Sequence, residues 1–374
     1  MKHAVILGAG FSRHVGLPLA SEFTDALLKV PSSGGPSDAL VLCLRALVRR
    51  VFRSQDHLTL LGSTWPELED LYTFLDMSAN TGHHLGFAPA TLRSLRRALI
   101  VRSIRMLYQL QKNRTLRDPR MSKQVEEFMK RVDIKTVSFI STNWDVAVET
   151  LLEDLRGIRT FDYGCRAIHA RFSGATLEKR VPRSTIEPVT ILKLHGSVNW
   201  IYCDSCRRLF WCAPRQSVDI ARLLLTPNDW KRLRQVTAIP PFAIRRIART
   251  CPECGEDSLS TRFATFSYRK ALDFPMFDRT WDSAEQLLRE ASSWTFIGYS
   301  LPAADYEFKH LLKRVQLSRD GPPKIALVTG GPGAPATVAR YRKLFGRDLD
   351  AKAIFRHGLS GTARRLLRHS GVLA

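Results

Sequence analysis

His3 to Leu7 is an unbroken apolar, partly β-branched run that stops at Gly8-Ala9-Gly10. A continuous run of this length fits a strand covered on both faces. Beyond it, Leu19 to Val30 places apolar residues at helical spacing, which predicts strand, glycine turn and helix in succession. Residues 31–36 (Pro-Ser-Ser-Gly-Gly-Pro) predict a loop, and 38–53 and 91–112 then carry the i, i+3, i+4 pattern of helices. A helical insertion therefore follows the first strand–helix unit.

The strand pattern then returns. Val137 to Ile140 ends in Ser141-Thr142-Asn143-Trp144-Asp145 and enters a helix over 146–155. Val189 to Leu194 runs into His195-Gly196-Ser197, Trp294 to Ile297 into Gly298-Tyr299-Ser300-Leu301-Pro302, and Lys324 to Val328 into Thr329-Gly330-Gly331. Apolar strands alternating with helices predict an α/β fold, a Rossmann-like parallel sheet with helices on both faces. Ligands of such sheets bind beyond the carboxyl ends of the strands, at the switch in strand order, so these polar clusters are expected to converge there. No internal repeat or low-complexity tract interrupts the chain.

The chain has 374 residues, 44% of them hydrophobic, enough for one large core or two modest ones. Its longest apolar runs fall far short of the roughly 20 residues that span a bilayer, so no membrane partner is expected. Met1-Lys2-His3 leads straight into the first strand without the regions of a signal peptide, which points to the cytoplasm. Fifty-seven Lys and Arg against 35 Asp and Glu leave a formal charge of +22, which favours nucleic acid or an acidic protein as partner. A general preference for arginine explains the same charge, because arginines recur throughout, as at Arg93, Arg96, Arg97, Arg102 and Arg105 and at Arg245, Arg246 and Arg249.

Seven cysteines include Cys203-Asp-Ser-Cys206 and Cys251-Pro-Glu-Cys254. In a reducing compartment such pairs read as metal ligands more readily than as disulfides, and four thiolates fit a closed, structural, tetrahedral zinc site. A redox dithiol is the alternative. The segment between the pairs is longer than in the usual zinc ribbon and includes Trp211 and the basic stretch 231–249. Cys43, Cys165 and Cys212 lack partners at ligand spacing and read as packing residues.

Gly8-Ala9-Gly10-Phe11-Ser12, with Gly16-Leu17-Pro18 beyond, can bring backbone amides close to a diphosphate, since glycine has no Cβ; a tight turn is the plainer reading. Asn143 suits either a polar site or the cap of the helix that follows, and His195 either proton transfer or a hydrogen-bonded turn. Taken in order, GAGFS with GLP, STNWD, LHGS, the paired cysteines and GYSLP resemble the sirtuin superfamily, in particular the bacterial sirtuin-like NAD hydrolases with their T-N-x-D, L-H-G and G-Y-S-L-P-x-x-D signature.

That resemblance implies NAD as substrate and structural zinc on Cys203, Cys206, Cys251 and Cys254. It implies a phosphate loop at Gly8, Ala9, Gly10, Phe11 and Ser12, and a nicotinamide and ribose pocket at Asn143 and Asp145. His195 would be the catalytic histidine and Asn143 the residue that orients water, with Asp145 on the nicotinamide amide. Gly298 and Ser300 would lie beneath the adenosine half, and Asp305 would be the acid of the last motif. Breaking the ribosyl bond develops an oxocarbenium-like cation and needs an activated water, which suits these residue types. The segment Trp65 to Leu75 resembles the acidic-aromatic helix start of such hydrolases, although its apolar spacing reads better as a core face.

Protein-deacylating sirtuins carry a Phe-Gly-Glu strand that pairs with an acyl-lysine peptide. The corresponding segment here reads Ser260-Thr-Arg-Phe-Ala-Thr-Phe-Ser-Tyr268, and the Asp-Phe-Arg after the first glycine loop is replaced by Leu19-Ala20-Ser21. Water is therefore the expected acceptor. NAD-dependent deacylation and a noncatalytic NAD or ADP-ribose sensor with a basic nucleic-acid surface stand as alternatives. The resemblance further implies NAD depletion in anti-phage defence, through a homo-oligomer or a separate partner such as an Argonaute-like protein or a ring ATPase. The expected organisation is 1–30, 136–200 and 269–374 for the Rossmann-like NAD-binding domain, 31–135 for the helical insertion and 201–268 for the zinc module.

Overall fold

A computed structural model describes residues 2–29, 35–52, 65–113, 118–181, 187–239, 247–262 and 274–374. Most of the 31–36 loop, part of the basic stretch 231–249 including Arg245 and Arg246, and residues 263–268 of the segment after the second cysteine pair lie outside these ranges.

Two sheets form among the described residues. The first takes β1 (His3–Leu7), β2 (Val137–Ser141), β3 (Phe161–Asp162), β6 (Val189–Lys193), β10 (Ser293–Ile297), β11 (Lys324–Val328) and β12 (Ile354–Phe355), in the order β12-β11-β10-β1-β2-β6-β3. Every pairing in it is parallel. The second takes β4 (Ile168–Ser173), β5 (Thr176–Lys179), β7 (Trp200–Cys203), β8 (Leu209–Cys212) and β9 (Leu259–Ser260), in the order β5-β4-β8-β7-β9.

The helices are α1 (Ala9–Arg13), α2 (Ala20–Leu28), α3 (Pro36–Phe52), α4 (Leu68–Thr81), α5 (Pro89–Lys112), α6 (Pro119–Arg131), α7 (Ala147–Arg156), α8 (Ser217–Leu224), α9 (Pro227–Val236), α10 (Pro275–Glu290), α11 (Tyr306–Leu317), α12 (Ala334–Phe345) and α13 (Gly361–His369). The expected strands appear to within a residue or so. Pro36 and Pro89 each open a helix, because a fixed φ and a missing N–H cost nothing in the first turn.

Alternation along the strands divides their side chains between two cores. Ala4, Ile6, Ile140, Leu192, Trp294 and Phe296 pack under α10, α11 and α12. Val5, Leu7, Val137, Phe139 and Ile191 join a larger core with α2 to α7, α13 and the second sheet. The parallel sheet is thus covered on both faces, which is why its central strands read as unbroken apolar runs.

Register places the site. Leu7 lies opposite both Ile297 and Ser141, Ser141 opposite Lys193, and Ile297 opposite Val328. The carboxyl ends of β6, β2, β1, β10 and β11 therefore stand in one row. From β1 the chain moves to β2 on one side, and from β10 to β11 on the other, so the switch in strand order falls between β1 and β10.

The helical layer explains part of the charge. On α5, the Arg102 guanidinium is buried and donates to the Leu27, Ala26 and Lys29 carbonyls at 3.0, 3.4 and 3.3 Å, satisfying the last carbonyls of α2. Arg96 pairs with Asp76 at 2.5 Å, Arg97 with the buried Asp229 of α9, and Arg105 donates to Ser37. Four arginines of the densest run thus hold helices together.

Candidate functional site

Two loops that leave adjacent strand ends are laced together. Beyond β2 and β6, Leu194 N–H donates to the Ser141 carbonyl at 3.0 Å and Val198 N–H to the Trp144 carbonyl at 2.9 Å. The Ser197 hydroxyl reaches the same Trp144 carbonyl at 3.3 Å, and the Lys193 ammonium donates to the Asp145 carbonyl. Backbone so fully paired holds its side chains in one arrangement. Lys193 is itself buried, 3.8 Å from Glu149 of α7, whose carboxyl is pushed up by burial against the opposing pull of Lys193.

His195 is buried, and its Nδ1 lies 2.9 Å from the Thr142 carbonyl. A carbonyl can only accept, so Nδ1 carries the proton and Nε2 is the atom that exchanges one. Nε2 stands 3.7 Å from the Asp305 carboxylate. Asp305 is the N-cap residue of α11, where aspartate ordinarily bonds the first turn, yet its side chain makes no capping bond. Instead one oxygen faces His195 and the other accepts from the Tyr299 hydroxyl at 3.0 Å. Burial and the neighbouring Asp305 push the Tyr299 phenol well up, so it stays protonated as a donor. Tyr341 completes the support by donating to the Tyr299 carbonyl at 2.9 Å.

Between Tyr299 and Asp305, Leu301 has φ 53°. A leucine in the left-handed region costs on the order of 1 kcal/mol, which here is offset by burial of its side chain. The strained turn brings Asp305 back over His195.

Asn143 donates from Nδ2 to the Ser12 hydroxyl at 2.9 Å, tying the end of β2 to the glycine turn after β1. Asn143 does not cap α7: the N-cap position is Val146, with no side-chain cap, and the residue before it, Asp145, accepts from Ala147 N–H through Oδ1 at 3.0 Å in a local turn. The Ser300 side chain is exposed, and its carbonyl accepts from Arg340 at 2.7 Å.

The glycines are needed for backbone contact. A Cβ on Gly8 would meet Tyr299 Cα at 2.5 Å, one on Gly10 would meet Gly298 Cα at 2.8 Å, and one on Gly298 would meet Phe11 N at 2.2 Å. Gly10 N–H donates to the Gly298 carbonyl at 2.9 Å, and Ala9 and Phe11 continue into α1. Gly298→Ala, which also opposes a φ of 64°, is expected to destabilise the fold by about 3 kcal/mol and to loosen the switch point. Thermal unfolding checks this, and an unchanged Tm contradicts it.

Cys203, Cys206, Cys251 and Cys254 gather with all four sulfurs within 4.8 Å of one another. Cys203 and Cys254 are 3.7 Å apart and Cys206 and Cys251 3.8 Å, too far for disulfides of about 2.05 Å. Tetrahedral zinc bonded at about 2.3 Å would space its sulfurs at about 3.8 Å, so the cluster fits that ion. Backbone N–H groups of Cys206 and Glu253 point at the Cys203 and Cys251 sulfurs at 3.5 and 3.4 Å, as suits thiolates. The long segment between the pairs supplies β8, α8 and α9, the two helices packing against α5.

Several participants escaped the sequence reading. Thr142 acts through its carbonyl, which side-chain identity cannot signal, and Trp281 donates to the Leu194 carbonyl from a distant helix at 3.0 Å. Glu69 of α4 lies in the acidic-aromatic segment read as a core face; burial, together with the charges of Glu67, Asp305 and Asp70, pushes its carboxyl up. Its signal was the clustering of acids beside aromatic residues. A lysine ending the buried strand β6 was a signal for the Lys193–Glu149 pair.

Fold and site together define an α/β protein with a parallel seven-stranded sheet, a polar site where strand order reverses, and a second sheet bearing a four-cysteine cluster. No family model and no curated protein matches the chain. Among solved structures it is similar to a Sir2 homologue mutant in complex with ADP-ribose, with 15% identity over 98% of this chain and 91% of the other and a TM-score of 0.43. It is also similar to a Sir2 enzyme solved for its mechanism and regulation (14% identity, 99% and 92% covered, TM-score 0.38) and to a sirtuin solved for the basis of its substrate affinity (12%, 99% and 94%, TM-score 0.40).

Proposed function

We propose that this chain is a sirtuin-like NAD hydrolase that releases nicotinamide and leaves ADP-ribose. The observation that carries the reading is the pairing of His195 with an aspartate that forgoes its helix cap, beside an asparagine oriented by Ser12. The order of motifs along the chain supports the choice of NAD.

In this reading the bond from ribose C1′ to the nicotinamide nitrogen breaks, and nicotinamide leaves with the electron pair. Water attacks C1′, and its proton passes to His195 Nε2, the unprotonated nitrogen of the tautomer set by Thr142. Asp305, 3.7 Å away, balances the imidazolium that forms. With Nδ2 committed to Ser12, the Asn143 Oδ1 is turned to accept from that water. Gly8, Gly10 and Ser12 would border the phosphates, Asp145 the nicotinamide amide, and Gly298 and Ser300 the adenosine half. Structural zinc on the four cysteines would brace the second sheet. The setting implied by the motif resemblance is NAD depletion in anti-phage defence.

The test is product analysis by mass spectrometry after incubation with NAD, with and without an acetyl-lysine peptide. Nicotinamide and ADP-ribose formed without peptide support the reading; an acylated ADP-ribose formed only with peptide replaces it with deacylation. Asp305→Asn is expected to lower kcat/KM for NAD roughly a hundredfold while Tm changes little, since the amide keeps the bond from Tyr299 and removes the charge facing His195. Wild-type turnover in this variant would remove Asp305 from the mechanism.

A further inference from the structure

A cavity of about 300 Å³ opens on the face of the second sheet beside β3, and His195, Asn143 and Asp305 take no part in it. Register builds its floor. His169 of β4 lies opposite Trp211 of β8, and Arg171, two residues along, shares their face. Arg180, just past β5, is drawn alongside by the bond from its N–H to the His169 carbonyl at 2.8 Å. Arg159 and Arg215 complete the rim.

Charge across this cavity is unbalanced. Glu153 pairs with Arg159 at 3.2 Å and Glu178 with Arg171 at 3.4 Å, while Arg180 and Arg215 have no ion pair among the described residues. Four guanidiniums around one hollow offer forked donors to phosphate oxygens. A flat surface adjoins them: the His169 ring stacks on Trp211 with centroids 4.0 Å apart and planes 7° from parallel. Trp211 is buried, so His169 is the accessible end of the stack, and its Nδ1 has no hydrogen-bond partner among the described residues. Burial and the nearby Arg180 push its pKa down, which keeps the ring neutral and suited to stacking. The volume matches a small ligand at the lower end of the usual range of about 300–1,000 Å³.

We infer that this cavity binds a nucleoside mono- or diphosphate, with its phosphates on the arginines and its base against His169. It is a site separate from the residues gathered at the strand ends, and it stands whether or not the chain cleaves NAD.

The experiment is calorimetric titration of the full chain with UDP, inorganic pyrophosphate and uridine, repeated with saturating NAD. UDP shares a diphosphate with NAD, so the titration in saturating NAD tells binding at this cavity from binding at the strand ends. UDP is expected to bind most tightly, pyrophosphate more weakly and uridine not measurably, with NAD leaving UDP affinity unchanged. The double variant Arg180→Ala with Arg215→Ala is expected to weaken UDP tenfold or more, and both side chains are exposed, so an unchanged Tm verifies its fold. His169→Ala is expected to erase the preference for UDP over pyrophosphate. Displacement of UDP by a short single-stranded oligonucleotide, lost in the arginine variant, would support the site and assign the nucleotide to a nucleic-acid chain. Absence of UDP binding, equal affinity in the arginine variant, or loss of binding when NAD is added would overturn the inference.

Discussion

His195→Ala is expected to reduce nicotinamide release from NAD by about a hundredfold to ten-thousandfold, the range over which removal of a general base acts. The imidazole has a set tautomer: Thr142 fixes the proton on Nδ1 and leaves Nε2 to exchange one beside Asp305. Alanine leaves the backbone bonds between the two loops intact, because these run through Leu194, Val198 and Trp144. The variant should therefore stay folded, with Tm near that of the parent. Product analysis and thermal unfolding on one sample separate the two effects. Wild-type release from the folded variant would sink the catalytic assignment, and loss of release together with loss of fold would be resolved by His195→Gln. Glutamine keeps a donor toward the Thr142 carbonyl and lacks the basic nitrogen, so it should be as inactive as alanine while holding the turn.

Cys251→Ser is expected to abolish stoichiometric zinc and to lower stability by several kcal/mol, since metal-binding energy in such a site is folding energy, with apparent values of about 10–16 kcal/mol in small zinc modules. The loss should travel beyond the second sheet. The helices α8 and α9 lie between the two cysteine pairs and pack on α5, and Asp229 of α9 holds Arg97 of α5. Opening the cluster therefore removes support from the centre of the helical layer. Metal analysis of the purified chain and the Tm of both forms check this, and a chelator should reproduce the shift in the parent. Cys165→Ser, outside the cluster, is expected to keep the zinc. A parent chain without zinc, or a serine variant that retains it, would contradict the assignment.

Taken alone, the sequence determined what depends on neighbours along the chain. Five buried strands of the parallel sheet, helices after the first two of them and the two cysteine pairs were legible, because apolar periodicity and ligand spacing are local signals. The polar residues closing each strand were legible as a group for the same reason. Tertiary structure alone decided which of them meet. Register brought Ser12 to Asn143, and the strained turn at Leu301 brought Asp305 to His195, whereas Ser300 in the same motif turned outward. Aspartate at a helix start suggests a cap, and only the fold shows that Asp305, at the N-cap of α11, turns its carboxylate to His195 and Tyr299 instead. The arginines of α5 were read as a general preference for arginine or a surface for an acidic partner, yet four other helices supply partners to four of them. The second sheet, with β4 beside β8, was hidden because pairing between short strands is a long-range choice, set by packing and register rather than by the residues within either strand.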